Sequence, residues 1–162
     1  MDKEVYEEHY QAVFKYLLYL TNQPELAHDL LQETFYRFFK RNTVAIEQKR
    51  AFLLRIARNI VYDHFRKKRL IQFFSLAKDN RVDIEPLPEE VLIKGEEVAA
   101  LYRALQEIKL TYREVVILRY IEDYSVKEVA SILGCSQVQV KNNTARGLQA
   151  LRKLLGGGEV YE

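Results

Sequence analysis

Between Thr111 and Leu155 three helix-start signatures follow one another, and no other feature of the chain narrows its fold as much. Each is a hydroxyl residue followed three positions later by Glu or Gln: Thr111 with Glu114, Ser125 with Glu128, Ser136 with Gln139. In such a capping box the hydroxyl oxygen accepts the amide of the third residue while the longer side chain reaches back to the cap's own amide, so two orphan donors are satisfied together. Three boxes in series predict three short helices. The middle one, Ser125 to Leu133, gathers Val126, Val129, Ala130 and Leu133 on one face. Gly134, tolerant of the left-handed conformation, ends it. Ala130 is small where two helices must cross closely, and Val140 is apolar one turn into the next helix, which is the pattern of a helix-turn-helix.

The second helix of that pair, Gln137 to Leu155, has an inner stripe of Val140, Thr144, Leu148, Leu151 and Leu155. Its outer face carries Gln137, Lys141, Asn142, Ala145, Arg146, Gln149, Arg152 and Lys153, and the segment contains no acid. Such a surface suits a DNA major groove, because Asn and Gln can pair with adenine, Arg with guanine and Lys with phosphate. Composition alone would favour an ordinary solvated amphipathic helix. The caps, the glycine and the missing acids outweigh it.

The whole-chain totals decide less. A net charge of +2 is too small to imply nucleic acid, so the uneven placement of the basic residues carries the argument instead. The single cysteine, Cys135, excludes an internal disulfide or a thiolate zinc cluster and reads as a small buried apolar residue. The charged start Met-Asp-Lys-Glu and the lack of a long apolar run predict no signal peptide and no membrane insertion, hence a cytoplasmic protein.

Read from the start, Tyr6, Tyr10, Val13, Phe14 and Leu17 share one side of a first helix ending near Thr21 and Asn22. Pro24 opens a second, whose buried face is Leu26, Leu30, Leu31, Thr34, Phe35, Phe38 and Phe39. Opposite lies a mixed polar band of Asp29, Gln32, Glu33, Tyr36, Arg37 and Lys40, which fits either a solvated face or a partner's docking surface. Arg41 to Lys49 reads as a loop. Helix resumes over Ala51 to Leu70, with Leu53, Ile56, Ala57, Ile60 and His64 inward. From Lys49 to Leu70 the only acid is Asp63, while Arg50, Arg55, Arg58, Arg66, Lys67, Lys68 and Arg69 accumulate with Asn59, Tyr62 and Phe65 between them. Two readings fit equally: cations tracking phosphates beside groups that hold unpaired bases, or a basic helix end favoured by its own dipole. Acids and prolines then mark a connector, with Val91, Leu92 and Ile93 as a local anchor. Val98, Leu101, Tyr102, Leu105 and Ile108 begin a second domain of four helices. The expected fold is therefore all-α: two small helical domains joined by a flexible linker, the C-terminal one a helix-turn-helix. His9, His28 and His64 lie on separate segments, no glycine-rich phosphate loop exists and no nucleophile sits beside a base, so no enzyme, cofactor or metal site is expected.

Taken in order, Asp29-Leu-Leu-Gln-Glu-Thr-Phe35, Leu54-Arg-Ile-Ala-Arg-Asn59 leading into Asp63 and a basic run, and Leu118-Arg-Tyr-Ile-Glu-Asp-Tyr-Ser-Val-Lys-Glu-Val-Ala130 resemble the extracytoplasmic-function group of bacterial sigma factors, across nearly the whole chain. The resemblance implies that residues 1–72 bind core RNA polymerase and recognise and melt the minus-ten element, that 73–95 form the linker, that 96–158 read the minus-thirty-five element, and that 159–162 are a tail. It gives Asp29, Gln32, Glu33, Tyr36 and Arg37 the role of docking on the core enzyme, which comprises β and β′ subunits, through the β′ coiled coil. It gives Arg55, Arg58, Asn59, Tyr62, Asp63 and Arg66 the minus-ten DNA, where family members hold a flipped base. It gives Ser136, Gln137, Gln139, Lys141, Asn142, Ala145 and Arg146 the minus-thirty-five DNA. Many members have Arg at the positions of Asn143 and Leu148 and a bulky residue at that of Ala145, so this reader is less basic than the usual one. Membership also implies control by an anti-sigma factor. A helix-turn-helix regulator that never meets the core polymerase, and a protein-interaction scaffold, are the alternative classes.

Overall fold

The computed structural model describes residues 3–41, 48–74, 87 and 89–156, and within them all regular structure is helical. The chain divides into two compact units, Met1–Leu17 with Gln23–Pro86 and Leu18–Asn22 with Leu87–Glu162.

The first unit contains most of α1 (Lys3–Thr21), with α2 (Pro24–Lys40) and α3 (Lys49–Phe74). Helix α1 stops at Asn22, whose φ of 55° is left-handed, a conformation that asparagine tolerates. Gln23 is extended and Pro24 follows as the first helical residue, so α2 starts without a side-chain cap. The core between these helices is Val13, Tyr16 and Leu17 from α1, Ala27, Leu31, Phe35 and Phe38 from α2, and Leu53, Leu54, Ala57 and Val61 from α3. Rings extend it, with Tyr6 lying 4.8 Å from Phe35 and Phe38 lying 6.0 Å from Phe52. The buried Thr34 hydroxyl donates to the carbonyl of Leu30 at 2.6 Å, which satisfies a polar group that burial would otherwise penalise. On the expected inner faces Tyr6, Tyr10 and Phe14 of α1 and Leu26 and Phe39 of α2 are only half-buried, while Val5, His9 and Ala27 are covered. His64 is also only half-buried. Its ring meets the edge of Phe65 rather than the core, which Val61 fills instead.

In the same unit His9 is buried, and its Nδ1 accepts a hydrogen bond from Arg50 Nε at 3.4 Å. Burial holds its pKa below the usual 6.5; Glu8 opposes that, and Arg50 and Lys49 reinforce it. The neutral ring is the one that fits.

In the second unit the short α4 (Glu89–Ile93) is anchored by buried Val91, while Leu92 and Ile93 are exposed. Of the expected linker, 75–86 and 88 lie outside the described residues, as do 42–47 of the expected loop and the tail from 157 onward. Helix α5 (Glu96–Glu107) is followed by α6 (Leu110–Val116), a π-helical turn Ile117–Ile121, α7 (Val126–Leu133) and α8 (Gln137–Gly156). The last turn of α1 groups with these helices. Tyr102 Oη donates to the carbonyl of Leu18 at 2.7 Å and Gln106 Nε2 to that of Tyr19 at 2.8 Å. The Arg113 guanidinium donates to the carbonyls of Leu20 (2.5 Å), Leu105 (2.7 Å), Gln106 (3.2 Å) and Ile108 (3.1 Å).

Two of the three capping boxes form. Ser125 Oγ accepts the Glu128 amide at 3.1 Å and Glu128 Oε1 the Ser125 amide at 3.0 Å; Ser136 and Gln139 do the same at 3.1 and 3.3 Å. The box at Thr111 does not. Lys109 caps α6, so Thr111 is already its second helical residue, and Glu114 turns to the buried face beside Val115. Gly134 ends α7 in the left-handed conformation, with φ 69°. Cys135, expected to be buried, is half-exposed just beyond that turn, because Val129 and Ile132 fill the core of α7.

Helix α8 packs on α5, α6 and α7 through Val140, Thr144, Gly147 and Leu151. Leu155, assigned to the inner stripe, is half-exposed, and Leu148 gives way to Gly147 as the close contact. A Cβ on Gly147 would lie 2.9 Å from Val116 Cγ2 and 3.2 Å from Tyr112 Cβ. Helix propensity alone would make Gly147→Ala stabilising by about 1 kcal/mol. Because valine is stiff and Tyr112 Cβ is fixed to its backbone, overpacking wins, and urea unfolding should show a net loss of roughly 1 to 3 kcal/mol. Val116→Ala in the same chain should recover part of it; a net gain for Gly147→Ala alone would mean that α6 and α8 do not cross this closely.

His9 generates a second expectation. A histidine whose folded pKa lies below its unfolded value contributes stability above the unfolded pKa and loses it as pH falls toward the folded one. Unfolding free energy should therefore decline as pH drops below about 6.5, and His9→Gln should flatten that decline. Identical slopes for wild type and variant would remove His9 as the cause.

Candidate polymerase and nucleic-acid interfaces

Three sets of side chains were expected to act. The first lies along α2, where Asp29, Gln32, Tyr36 and Lys40 are exposed and Glu33 and Arg37 half-exposed, while Leu30, Leu31, Thr34, Phe35 and Phe38 hold the other side in the core. Arg37 Nε donates to Glu33 Oε1 at 2.8 Å, one helical turn apart. An exposed pair of this kind adds little stability, at most about 1 kcal/mol, so the fold does not account for its presence. Tyr36 is 59% exposed, and the ammonium of Lys40 lies 5.7 Å from its ring centre. A large aromatic left in water in the middle of a charged band is the composition of an interface anchor.

The second set lies on α3. Asn59 and Arg66 are exposed, and Arg55, Arg58, Tyr62 and Asp63 are half-buried. Asp63, the sole acid of the stretch, is hydrogen-bonded to Arg66. Arg58 lies over Tyr62, its Cζ 3.9 Å from the ring centre, and its Nη1 donates to Asn59 Oδ1 at 3.2 Å. The length of the helix separates the two readings of its basic run. Helix α3 continues to Phe74 and its last turn holds no basic residue, so Arg66, Lys67, Lys68 and Arg69 stand before the region where the dipole acts. Capping a helix end does not explain them.

The third set belongs to the helix-turn-helix of α7 and α8. Gln137, Lys141, Asn142, Ala145, Arg146, Gln149, Arg152 and Lys153 are all exposed on α8, the face opposite Val140, Thr144, Gly147 and Leu151. Ser136 and Gln139 are exposed as well, but each oxygen is engaged in the capping box, so their first task is to fix where α8 begins. Asn143 is half-buried, which turns it away from the outer face. Glu128, tied to the Ser125 backbone amide and then its hydroxyl, has its pKa lowered and stays ionised as a cap.

Sequence reading missed Arg113, Gly147 and the stacking of Arg58 on Tyr62. The last two carry a legible signature, a lone glycine inside a helical pattern and a cation four residues before an aromatic. Arg113 carries none, because its acceptors are backbone carbonyls.

Among the described residues no group of His, Cys, Asp and Glu could hold a metal ion, and no helix is long and apolar enough to cross a membrane. Comparison with known proteins gives a consistent result. The family model of sigma-70 region 2 matches residues 5–71, and that of sigma-70 region 4 matches residues 99–151. The ECF RNA polymerase sigma factor SigX of Bacillus subtilis is 32% identical over 156 residues, an alignment covering 92% of this chain and 80% of that protein. BldN of Streptomyces coelicolor, also an ECF sigma factor, is 30% identical over 155 residues, covering 93% of this chain and 59% of its own length. In fold the chain is similar to the sigma factor RpoE of Bartonella quintana, solved in complex with the anti-sigma factor NepR, with a TM-score of 0.78 at 24% identity over 97% of this chain and 98% of that one.

Proposed function

The chain belongs to the extracytoplasmic-function (ECF) group of RNA polymerase sigma factors, and on that premise we propose a division of labour among its three exposed side-chain sets. As a sigma factor it binds core RNA polymerase and directs it to specific promoters for transcription initiation. Its task is recognition and positioning, not bond-making chemistry. Residues 1–72 engage the core enzyme and the minus-ten element, 73–95 connect, and 96–158 engage the minus-thirty-five element. The α2 band of Asp29, Gln32, Glu33, Tyr36 and Arg37 docks on the polymerase. Arg55, Arg58, Asn59, Tyr62, Asp63 and Arg66 on α3 meet the opened minus-ten strand. Ser136, Gln137, Gln139, Lys141, Asn142, Ala145 and Arg146 face the upstream duplex. The protein works where core polymerase is, in the cytoplasm, and an anti-sigma factor, the class of partner in the RpoE structure, restrains it.

One observation carries this reading: every amide and basic side chain expected to read DNA is exposed on α8, while the capping boxes and a close-packed inner face fix that helix in place. Reconstitution with core polymerase followed by transcript start mapping tests it directly, and a protein that leaves the core enzyme's start sites unchanged would contradict it. In the same system Glu33→Ala with Arg37→Ala should weaken core binding by roughly fivefold or more, as interface positions do, while unfolding stability changes by less than about 1 kcal/mol. Unchanged binding with lost stability would make the pair structural.

Arg146 tests readout against charge. Its planar fork can meet a guanine edge or clamp a phosphate, whereas Lys141 supplies only a point charge. Arg146→Ala should cost roughly 1 to 3 kcal/mol on the preferred upstream element and much less on a scrambled one, and Lys141→Ala should weaken both alike. Equal losses for Arg146→Ala, with a salt slope lowered by about one, would assign it to the phosphate backbone.

A further inference from the structure

We propose that Arg58 is a positioning residue for base selection: stacked on Tyr62 and bonded to the amide oxygen of Asn59, it turns the Asn59 NH2 group outward, so that α3 selects an unpaired base by the acceptor atoms on its edge. This rests on the reading that α3 meets the opened minus-ten strand. The argument begins with ambiguity. A solvent-exposed asparagine can turn either end of its amide to a ligand, offering a donor or an acceptor, and one that flips between the two discriminates poorly. A guanidinium only donates, so it can hold the amide only by the oxygen. Arg58 does so, with Nη1 3.2 Å from Asn59 Oδ1.

That hold is directional because the guanidinium is itself constrained. Its Cζ lies over the Tyr62 ring, 3.9 Å from the centroid, one helical turn along α3. The Tyr62 ring is in turn half-buried against the helix. Tyr62 therefore fixes Arg58, and Arg58 fixes the polarity of Asn59. Lysine could supply the same charge, yet it has neither a plane to stack nor a fork to set the angle of the hydrogen bond. With its oxygen engaged, the exposed amide leads with two donors. A base edge led by acceptors then gains hydrogen bonds that an edge led by donors cannot make, because donors facing donors leave both unpaired.

The test uses holoenzyme reconstituted with core polymerase and a set of fork-junction promoters carrying each of the four bases at each non-template minus-ten position. Holoenzyme binding to each template is scored by the fraction of complex that survives competitor DNA. Wild type should favour one base at one position by about tenfold, the scale of a good amide–base pairing. Arg58→Lys, which keeps the charge, should flatten that preference while leaving the other positions unchanged. Asn59→Ala should flatten the same position, and the double variant should lose no more selectivity than either single one. Core binding and thermal unfolding of each variant, expected to match wild type, separate this from misfolding. If Arg58→Lys keeps the full preference, or if Arg58→Ala lowers every template by one factor with a reduced salt slope, Arg58 is a phosphate contact and the proposal is overturned. If wild type shows no preference at any minus-ten position, the assignment of α3 itself fails, a result distinguishable from the other two.

Discussion

A chain built of short helices must satisfy about four amides at the start and four carbonyls at the end of every helix, and in the second unit that constraint rests on few side chains. Arg113 is the most consequential. Its guanidinium reaches carbonyls at the ends of two helices, Leu20 of α1 and Leu105, Gln106 and Ile108 at the close of α5. Charge-assisted bonds to carbonyls are stronger than neutral ones, and a cation at a helix C-terminus also meets the negative end of the dipole. Tyr102 and Gln106 satisfy the preceding carbonyls of α1. The turn between α5 and α6 is thus held by a side chain of α6 itself, which sets the position from which α8 is packed.

From there the geometry of α8 follows by exclusion. Gly147 lets α8 lie against Val116 and Tyr112 at a distance that any side chain would forbid. Val140 and Leu151 on either side of it are buried, and the buried Thr144 hydroxyl is spent on the Val140 carbonyl at 2.6 Å. With that face committed, the rotation of the helix has no freedom left, and the residues at the remaining angles must face out. The Ser136 box fixes the other variable, the point along the chain at which α8 begins. Rotation and start together decide which side chains a groove would meet. A reader of base edges needs both fixed, because a small misplacement of a planar fork forfeits its paired hydrogen bonds.

Legibility in the sequence tracked how local each interaction is. Helix starts at Pro24, Ser125 and Ser136 and the stop at Gly134 depend on a few consecutive residues, and all were readable. So was the outer face of α8, since an absence of acids along a helix is a one-dimensional fact. Readings failed where partners distant in sequence decided the outcome. Thr111 with Glu114 has the spacing of a capping box, yet α6 starts at Leu110 after the cap Lys109, and Glu114 is buried rather than turned back to a cap amide. His64 and Leu155 fall on apolar stripes that outrun the body they pack on, and periodicity cannot show where a neighbouring helix ends. Roles in binding polymerase or DNA came through resemblance, not through physics alone: an exposed Asp29, Glu33 or Arg37 carries no mark that distinguishes a docking face from a solvated one.

The basic run of α3 shows how a structural boundary can weaken one of two readings that composition leaves open. Cations near a helix C-terminus stabilise the helix that bears them, so Arg66 to Arg69 could have been explained with no ligand if α3 ended beside them. It continues to Phe74, and the dipole's reach is about one turn. What remains is a row of exposed like charges whose mutual repulsion is offset, among the described residues, by the bond between Arg66 and Asp63. A protein that keeps such a row on a helix side gains nothing in stability from it. In the proposed minus-ten role its counterpart is DNA, whose phosphates would convert that repulsion into attraction and release their own counterions as they do so. On the same helix, about two turns before the run begins, Arg58 is held against an aromatic ring rather than extended into solvent. In the proposed role α3 thus presents two kinds of cation to one strand, an exposed row along the helix side and one held against an aromatic ring.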